Sequence, residues 1–219
     1  MRIDLHTHTL LSDGDLLPIE LARRAVAKGH QGIAFTDHVS LSTIERVIRE
    51  ASRDCELAKE WGIEAILGVE ITHVPVSKID AVVAEARRLG AELIVIHGET
   101  TSEPVEKGTN RVAVSNPDVD ILAHPGFITL DEAQAAKDND IVLEITSRAA
   151  HSATNGHVAR LAMEVGARMV VNTDTHVPED LMTEQEAILR AMAAGLAKFE
   201  AEKAVRKTPL EIVRRIRGR

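Results

Sequence analysis

The chain has 219 residues with a formal net charge of −8, and its only aromatic residues are three Phe and one Trp. An acidic chain disfavours general affinity for polyanions, and so few aromatics argue against a surface that stacks nucleic-acid bases. The single cysteine, Cys55, excludes an internal disulfide and fits a reducing compartment.

Seven short apolar runs alternate with helical patterns along the chain. The predicted strands cover residues 2–5, 32–36, 64–69, 93–96, 121–123, 141–143 and 169–173. The predicted helices cover residues 18–29, 43–61, 77–90, 131–138, 155–166, 183–204 with a break expected near Gly195, and 208–217. Apolar strands that alternate with helices are typical of a buried parallel sheet. We therefore predict an α/β barrel of seven parallel strands that forms a single domain over residues 1–219.

Two stretches without clear periodicity, residues 98–118 and 146–156, are predicted to be long loops that line the functional site. The basic tail, residues 214–219, is expected to be the solvated last turn of a helix. No stretch approaches the roughly 20 apolar residues that a transmembrane helix needs, and no charged-then-apolar leader precedes the first strand. We therefore expect a cytoplasmic protein.

Residues that can bind metals stand where the apolar runs end. They are His6, His8, Asp37, His38, Glu70, His97, His124, Glu144, Asp174 and His176. In a barrel of alternating strands and helices, the C-terminal ends of the strands form the catalytic face, so these side chains are expected to meet there. Mixed imidazole and carboxylate ligands suit Zn, Mn or Fe better than Mg or Ca.

The motifs that contain these residues resemble, in order, those of the PHP (polymerase and histidinol phosphatase) family. They are Asp4-Leu-His-Thr-His-Thr, Ser12-Asp13-Gly14, Thr36-Asp37-His38, Gly68-Val-Glu70, His97-Gly98, Ala123-His124-Pro125-Gly126 and Asn172-Thr-Asp174-Thr-His176. The resemblance covers about residues 1–180. It implies a distorted seven-stranded (β/α)7 TIM-like barrel that binds two or three divalent metal ions.

The resemblance also implies a ligand set. A first metal would be held by His6, His8, Glu70 and Asp174, and a second by Glu70, His97 and His124. A third would be held by Asp13, His38 and His176. Zn, Mn and Fe all remain open as the bound metal.

Other polar residues near the motifs are expected to support the ligands or to lie outside the site. Asp37 is expected to orient a ligand histidine, with a simple turn residue as the alternative. Asp4 has the same first interpretation, and its alternative is a side chain that faces a neighbouring strand. Glu144 ends the sixth predicted strand and is expected to face the site, although the family pattern does not mark it as a definite ligand. His30 is interpreted as a surface loop residue and His73 as a residue at the rim of the site.

The resemblance and the ligand types together predict a metal-dependent phosphoesterase that acts on a small phosphate monoester, as a histidinol phosphatase does. A hydroxide that bridges two metals would attack phosphorus, and Asp174 or His176 would handle the proton. Arg148, with Ser147 and His151, is the first candidate to clamp the phosphate, and Arg111 is the second. A surface ion pair is the alternative interpretation of Arg148.

Two other functions remain open at this stage. One is a nucleotide or oligonucleotide phosphoesterase of the same family. The other is a non-catalytic subunit of an RNA-processing particle, for which we would expect lost ligands and a basic surface. We expect a small phosphorylated metabolite as the partner, no membrane, and nucleic acid only as a nucleotide substrate; the oligomeric state is left open.

Overall fold

The computed structural model describes residues 2–219 and contains a parallel sheet that is curved into a nearly closed barrel. Its strands are β1 (Arg2–Asp4), β2 (His30–Phe35), β3 (His38–Val39), β4 (Glu64–Ile71), β5 (Leu93–His97), β6 (Ile121–Ala123), β7 (Val142–Thr146) and β8 (Met169–Asn172). Seven of them follow the order β1-β2-β4-β5-β6-β7-β8, and the two-residue β3 pairs with β4 beside this path. The predicted seven-stranded barrel is confirmed, with β3 as an addition that the sequence did not indicate.

Helices alternate with the strands, as the pattern predicted, and the last three helices follow β8. The helices are α1 (Pro18–Ala27), α2 (Ile44–Ala58), α3 (Ile79–Arg88), α4 (Thr109–Ser115), α5 (Leu130–Asp138), α6 (Asn155–Val165), α7 (Glu184–Ala193), α8 (Lys198–Glu202) and α9 (Thr208–Arg217). The expected break near Gly195 is present, because that glycine has a φ of 97° between α7 and α8. α4 was missed, since its seven residues lie inside the predicted loop 98–118.

The barrel is closed between β1 and β8 mainly by side chains and not by a regular ladder. One backbone bridge joins Thr7 to Thr175 beyond the ends of the two strands. Asn172 Oδ1 accepts a hydrogen bond from the backbone N–H of Leu5 at 3.0 Å. The buried guanidinium of Arg2 donates to the carbonyl oxygen of Val171 at 2.6 Å. This seam is therefore the irregular part of the barrel.

Asp4 also belongs to the seam. Its carboxylate accepts hydrogen bonds from Arg2 at 2.9 Å and from the Thr173 hydroxyl at 2.8 Å. The two partners join Asp4 to its own strand and to the chain that follows β8. Asp4 therefore stabilises barrel closure, and these bonds do not orient a ligand histidine.

The interior of the barrel is apolar, and α9 closes its N-terminal end. Ile212 and Ile216 of α9 pack in one cluster with side chains that point into the barrel, which are Ile3, Leu5, Ala34, Ile66, Leu93, Val95, Ile121, Ala123, Val142 and Val170. Burial of such side chains is favourable because it removes apolar surface from water. α9 is therefore part of the core of the barrel.

The basic tail forms the last turn of α9 and is largely exposed, as expected, but three of its arginines also pair with acidic residues. Arg215 and Arg219 each lie 3.0 Å from Oδ1 of the fully buried Asp120, and Arg217 lies 2.5 Å from Glu64. A buried carboxylate requires such partners, since an unpaired charge is costly away from water. These three arginines therefore fix α9 to the barrel.

His30 is buried, and its interpretation as a surface loop residue was wrong. It opens β2, and its Nε2 lies 2.7 Å from the carbonyl oxygen of Met182. The ring packs under the segment that precedes α7, which the sequence pattern does not place there.

Among residues 2–219, no helix is long and apolar enough to cross a membrane.

We predict that Ile212→Ala lowers the free energy of unfolding by about 2–5 kcal/mol, because it leaves a cavity where α9 meets the barrel interior. Denaturant unfolding measures the change. Arg214→Ala, on the exposed side of the same helix, is the control and should change stability by less than about 0.5 kcal/mol. Equal effects of the two substitutions would contradict the packing of α9 in the core.

We also predict that Cys55 does not react with a chromogenic thiol reagent in the folded protein at pH 8. Burial, helped by Asp54 and Glu56, raises the pKa of its thiol to about 12, and the thiolate is the reactive form. The same reagent should titrate one thiol after unfolding in guanidinium. Rapid reaction of the native protein would show that α2 opens readily at this position.

Candidate metal centre

All nine sequence-predicted ligands lie together at the C-terminal end of the barrel. They form groups whose nitrogen and carboxylate oxygen atoms lie within 4.8 Å of one another. The groups are His6–His8–Glu70, His6–His124–Asp174, His97–His124–His151, His8–Asp13–His38–His176 and His73–His97–Glu103. Because several residues occur in more than one group, the groups form one continuous cluster.

Glu70 lies at the centre of this cluster. It is fully buried at the C-terminal end of β4. Its carboxylate oxygens lie 3.4 Å from His6 Nε2, 3.5 Å from His8 Nε2, 3.4 Å from His124 Nε2 and 2.7 Å from His38 Nδ1. Four imidazoles from three strand ends, with His6 and His8 both following β1, thus converge on one carboxylate.

Asp174 provides a second carboxylate on the other side of the same rings. Its Oδ1 lies 3.2 Å from His8 Nε2 and its Oδ2 lies 3.8 Å from His124 Nε2. The side chain is 2% exposed and follows the end of β8. Asp174 therefore stands where the resemblance places a ligand of the first metal.

A more open group lies at the mouth of the cluster. Asp13, whose side chain is 55% exposed, lies 3.2 Å from His176 Nε2 and 3.7 Å from His38 Nε2. The second ring nitrogen of His8, Nδ1, lies 3.9 Å from the same carboxylate. His8 therefore stands between this group and the central one, whereas the sequence interpretation placed it with the first metal alone.

Glu144 supports the ligands from beneath. Its Oε1 lies 2.8 Å from His6 Nδ1 and accepts a hydrogen bond from Asn172 Nδ2 at 2.9 Å, and its Oε2 accepts one from the backbone N–H of His124 at 3.1 Å. A carboxylate on the far ring nitrogen of a ligand histidine fixes the ring orientation and the tautomer. The expectation that Glu144 faces the site as a supporting residue agrees with this geometry.

Asp37 does not orient a histidine, which corrects the favoured interpretation. Its fully buried carboxylate accepts hydrogen bonds from Thr9 N at 2.7 Å, Thr9 Oγ1 at 2.8 Å, Ser12 N at 3.1 Å and Ser12 Oγ at 2.8 Å. These bonds fold the loop that carries Asp13. Asp37 therefore positions a candidate ligand through the backbone of that loop.

Two candidate ligands have a left-handed backbone that non-glycine residues rarely adopt. φ is 26° at His124 and 53° at Asp174, and both follow directly on strand ends or their continuation. Such conformations cost free energy and persist where the surrounding structure enforces them, often at functional sites. Here they turn the chain so that the ring of His124 reaches Glu70 and the carboxylate of Asp174 reaches His8.

The cluster fits a set of metal ligands. Both carboxylate oxygens of Glu70, Nδ1 of His8 and Nδ1 of His124 are buried without a hydrogen-bond partner among residues 2–219. Ligands that share one ion through bonds of about 2.1 Å lie about 3.0–3.5 Å apart, and most of the separations around Glu70 and Asp174 are of this size. Divalent cations would satisfy the buried charge that the side chains leave unpaired.

Electrostatics separates the two central carboxyl groups. Burial would raise the pKa of Glu70, but the neighbouring histidines, led by His6, hold that pKa well below its ordinary value. Burial raises the pKa of Asp174 even though His6 and His124 oppose the shift. Glu70 is therefore the more strongly ionised of the pair.

We call His97, His124 and His151 the second ligand group, because it contains predicted ligands of the second metal. This group and the adjoining one of His73, His97 and Glu103 contain residues that the sequence interpretation did not place there. His151 was proposed to help clamp a phosphate, yet its ring stacks on His124 with centroids 4.3 Å apart. Burial, together with the charge of His124, lowers the pKa of His151 to about 3, so its ring is neutral near pH 7. Glu103, in the loop after β5, lies 3.2 Å from His97 Nε2 and was missed altogether. No periodic signal marks a loop residue of this kind.

The remaining candidates are divided between the rim and the surface. Arg148 Nε lies 3.9 Å from Asp174 Oδ2, and its Nη1 lies 3.7 Å from Asp180 Oδ2. Arg111 lies on the exposed side of α4. His73 is 43% exposed with its Nε2 3.1 Å from Glu103, which agrees with a rim position. Arg148 is therefore the better placed of the two candidate phosphate clamps.

The sequence motifs and this cluster can be compared with known proteins. The family model of the PHP domain matches residues 4–193. The chain belongs to this family. PHP domains are metal-dependent, and the His, Asp and Glu clusters described above could bind such ions.

Relatives of this PHP chain carry different names. It is 48% identical over 218 residues to the uncharacterized protein MJ1295 of Methanocaldococcus jannaschii. This alignment covers 99% of the chain and 100% of the relative. It is 28% identical to the probable phosphatase Teth514_1060 of Thermoanaerobacter sp., over 90% of the chain and 87% of the relative. It is 24% identical to ribonuclease P protein component 3 of Methanosarcina barkeri, over 94% of the chain and 86% of the relative.

A solved structure supports the fold. The barrel aligns with a chain in the cryo-EM structure of archaeal ribonuclease P with mature tRNA, with a TM-score of 0.71 and 17% identity. The alignment covers 97% of this chain and 89% of that one. At this identity the likeness concerns the fold alone.

We predict that Glu144→Gln lowers the affinity for bound metal about 10–100-fold, because it removes the negative charge that fixes the ring of His6. Metal retained after dialysis against a weak chelator measures the effect. Glu164→Gln, the same substitution at an exposed helical position, is the control. Equal retention in both variants would mean that Glu144 does not support a ligand.

Proposed function

We propose that this chain is a metal-dependent phosphoesterase that hydrolyses a small phosphate monoester. The observation that carries the proposal is the continuous cluster around Glu70 and Asp174, which offers ligands for two to three divalent ions, with Zn, Mn and Fe as the candidates. The relative named as a probable phosphatase supports the same reaction class. Bound divalent ions supply activation of water and neutralisation of phosphoryl charge.

The side chains beside the cluster have separate roles in this proposal. Arg148 binds phosphoryl oxygens through its guanidinium, which reaches the edge of the cluster next to Asp174. Asp174, whose pKa is raised by burial, and His176 are the two candidates to handle the proton. His6, His8, Asp13, His38, Glu70, His97, His124, Asp174 and His176 are the proposed metal ligands.

The surroundings of the cluster suit a small polar leaving group. A cavity of about 350 Å³ opens beside Asp13 and His38. Its wall carries the side chains of Ser40, Thr43 and Thr72. A volume of this order is typical of a small-molecule site, and hydroxyl groups can hydrogen-bond a polar metabolite. A histidinol phosphate-like ester is one candidate, and a nucleotide is the alternative within the same class.

A second candidate function is that of a non-catalytic protein subunit of an RNA-processing particle. Similarity to ribonuclease P protein component 3 over 94% of the chain favours it. The candidate ligands are all present, however, and Arg215, Arg217 and Arg219 are engaged with acidic residues of this chain. A gel-shift assay with a precursor tRNA and with ribonuclease P RNA, at about 150 mM salt, distinguishes the two: submicromolar binding without phosphatase activity would support the second function.

We predict that protein purified without chelator contains two to three divalent ions per chain, and that His97→Ala abolishes phosphate release with the fold retained. The imidazole of His97 is 3% exposed and faces the second group of ligands. Elemental analysis, phosphate release and circular dichroism are measured on the same samples. His157→Ala, whose ring lies outside the cluster, is the control. A metal-free protein with no activity after reconstitution would refute the proposal.

A phosphate-release screen identifies the substrate class. It covers histidinol phosphate, sugar phosphates, nucleoside monophosphates and 3′,5′-bisphosphates. On the best substrate, we predict that Arg148→Ala raises KM about 10-fold or more and changes kcat less, because a residue that binds the phosphate equally in ground and transition states contributes to KM. Arg111→Ala is the matched control. An unchanged KM would leave Arg148 as a residue that only pairs with Asp174 and Asp180.

A further inference from the structure

The second ligand group lies where the two long loops of the catalytic face meet. His97 and His124 follow the ends of β5 and β6, and the sequence motifs contain both. His151 comes from the loop after β7, and Glu103 comes from the loop between β5 and α4. His151 belongs to the group of His97 and His124, Glu103 belongs to the adjoining group of His73 and His97, and no motif includes either residue.

The ring of His151 is held in one orientation. Its Nδ1 lies 2.7 Å from the Thr100 hydroxyl and 2.8 Å from the Ser102 hydroxyl. A hydroxyl can accept a hydrogen bond from Nδ1–H, and the other ring nitrogen then carries a lone pair. That nitrogen, Nε2, faces the cluster, 3.5 Å from Glu103 Oε1 and 3.9 Å from Asp174 Oδ2. The arrangement is the one in which a histidine ligates a metal.

Glu103 completes the group from the opposite loop. Its Oε2 lies 3.2 Å from His97 Nε2 and 3.1 Å from His73 Nε2, and its side chain is 38% exposed. This carboxylate therefore borders solvent, where an incoming ligand can reach it, whereas His97 and His151 are only 2% and 4% exposed. The separations match those between the ligands that surround Glu70.

We propose that His151 is a third imidazole ligand of the second metal and that Glu103 is a displaceable carboxylate ligand of the same ion. The metal then joins the loop after β5 to the loop after β7. Substrate reaches this ion by displacing Glu103. Without substrate, the loop that carries Glu103 therefore covers the second metal site. The proposal rests on the metal centre of the proposed function, but it concerns residues that the family motifs do not contain.

Stepwise metal binding tests the proposal without an activity assay. Chelator-treated protein is titrated with Zn²⁺ against a chromophoric chelator, and with Co²⁺ while the visible spectrum is recorded. His151→Ala should weaken one of the bound equivalents at least about 100-fold, because loss of a supporting residue alone weakens binding about 10–100-fold. Glu103→Gln should weaken the same equivalent about 10-fold and change its Co²⁺ absorption, with the other equivalents as in the wild type.

Matched controls separate a ligand from a residue that only supports the loops. His157→Ala removes another imidazole from the segment after β7, and Glu106→Gln removes another acid from the loop of Glu103. Both should bind metal as the wild type does. Circular dichroism of the metal-free proteins shows whether His151→Ala remains folded. If it does not, Glu103→Gln, at an exposed position, decides the result.

Hydrogen exchange gives an independent readout of the loop. Zn²⁺ should slow exchange in the peptide 99–108 of the wild type by at least about 10-fold, and this protection should be lost in Glu103→Gln. Unchanged stepwise affinities and unchanged protection in both variants would overturn the proposal and leave the proposed function intact. A wild-type chain that binds no Zn²⁺ or Co²⁺ would overturn both.

Discussion

The burial of a negative charge at Glu70 is the constraint on which the rest of this structure depends. A carboxylate without hydrogen-bond partners inside a protein is costly unless cations surround it. The barrel meets this requirement by bringing imidazoles to Glu70 from separate strand ends. Glu144, which accepts a hydrogen bond from Asn172, then fixes the ring of His6 from beneath. The site is thus a consequence of how seven strand ends meet and not of any single loop.

Much of this arrangement could be predicted from the sequence, because strands and ligands are both local signals. A short apolar run followed by His, Asp or Glu predicts a strand that ends in the catalytic face, and the structure places all nine predicted ligands there. Their roles as metal ligands stay predictions. Helices such as α1 and α9 were also predictable, since their apolar spacing and their flanking residues are local features.

The misplaced residues are those whose positions depend on distant parts of the chain. His30 is buried only because the segment before α7 covers it. Asp37 turns toward Thr9 and Ser12 because the loop after β1 folds back over it. Glu103 and His151 lie in loops without periodicity, and they face each other only once β5 and β7 are set in the barrel. α4 was missed because seven residues carry too few turns to show a helical pattern.

The seam between β1 and β8 gives the metal centre a further significance. His6 and His8 extend from one edge of the barrel and Asp174 from the other, and the regular ladder of hydrogen bonds is absent between those two edges. A cation shared by these residues would join the edges of the sheet directly. Any ion that binds the folded chain and not the unfolded one adds its binding free energy to stability. Metal binding and closure of the barrel would then be thermodynamically linked. The bound ion would hold the two edges together at the seam, where the sheet is least regular.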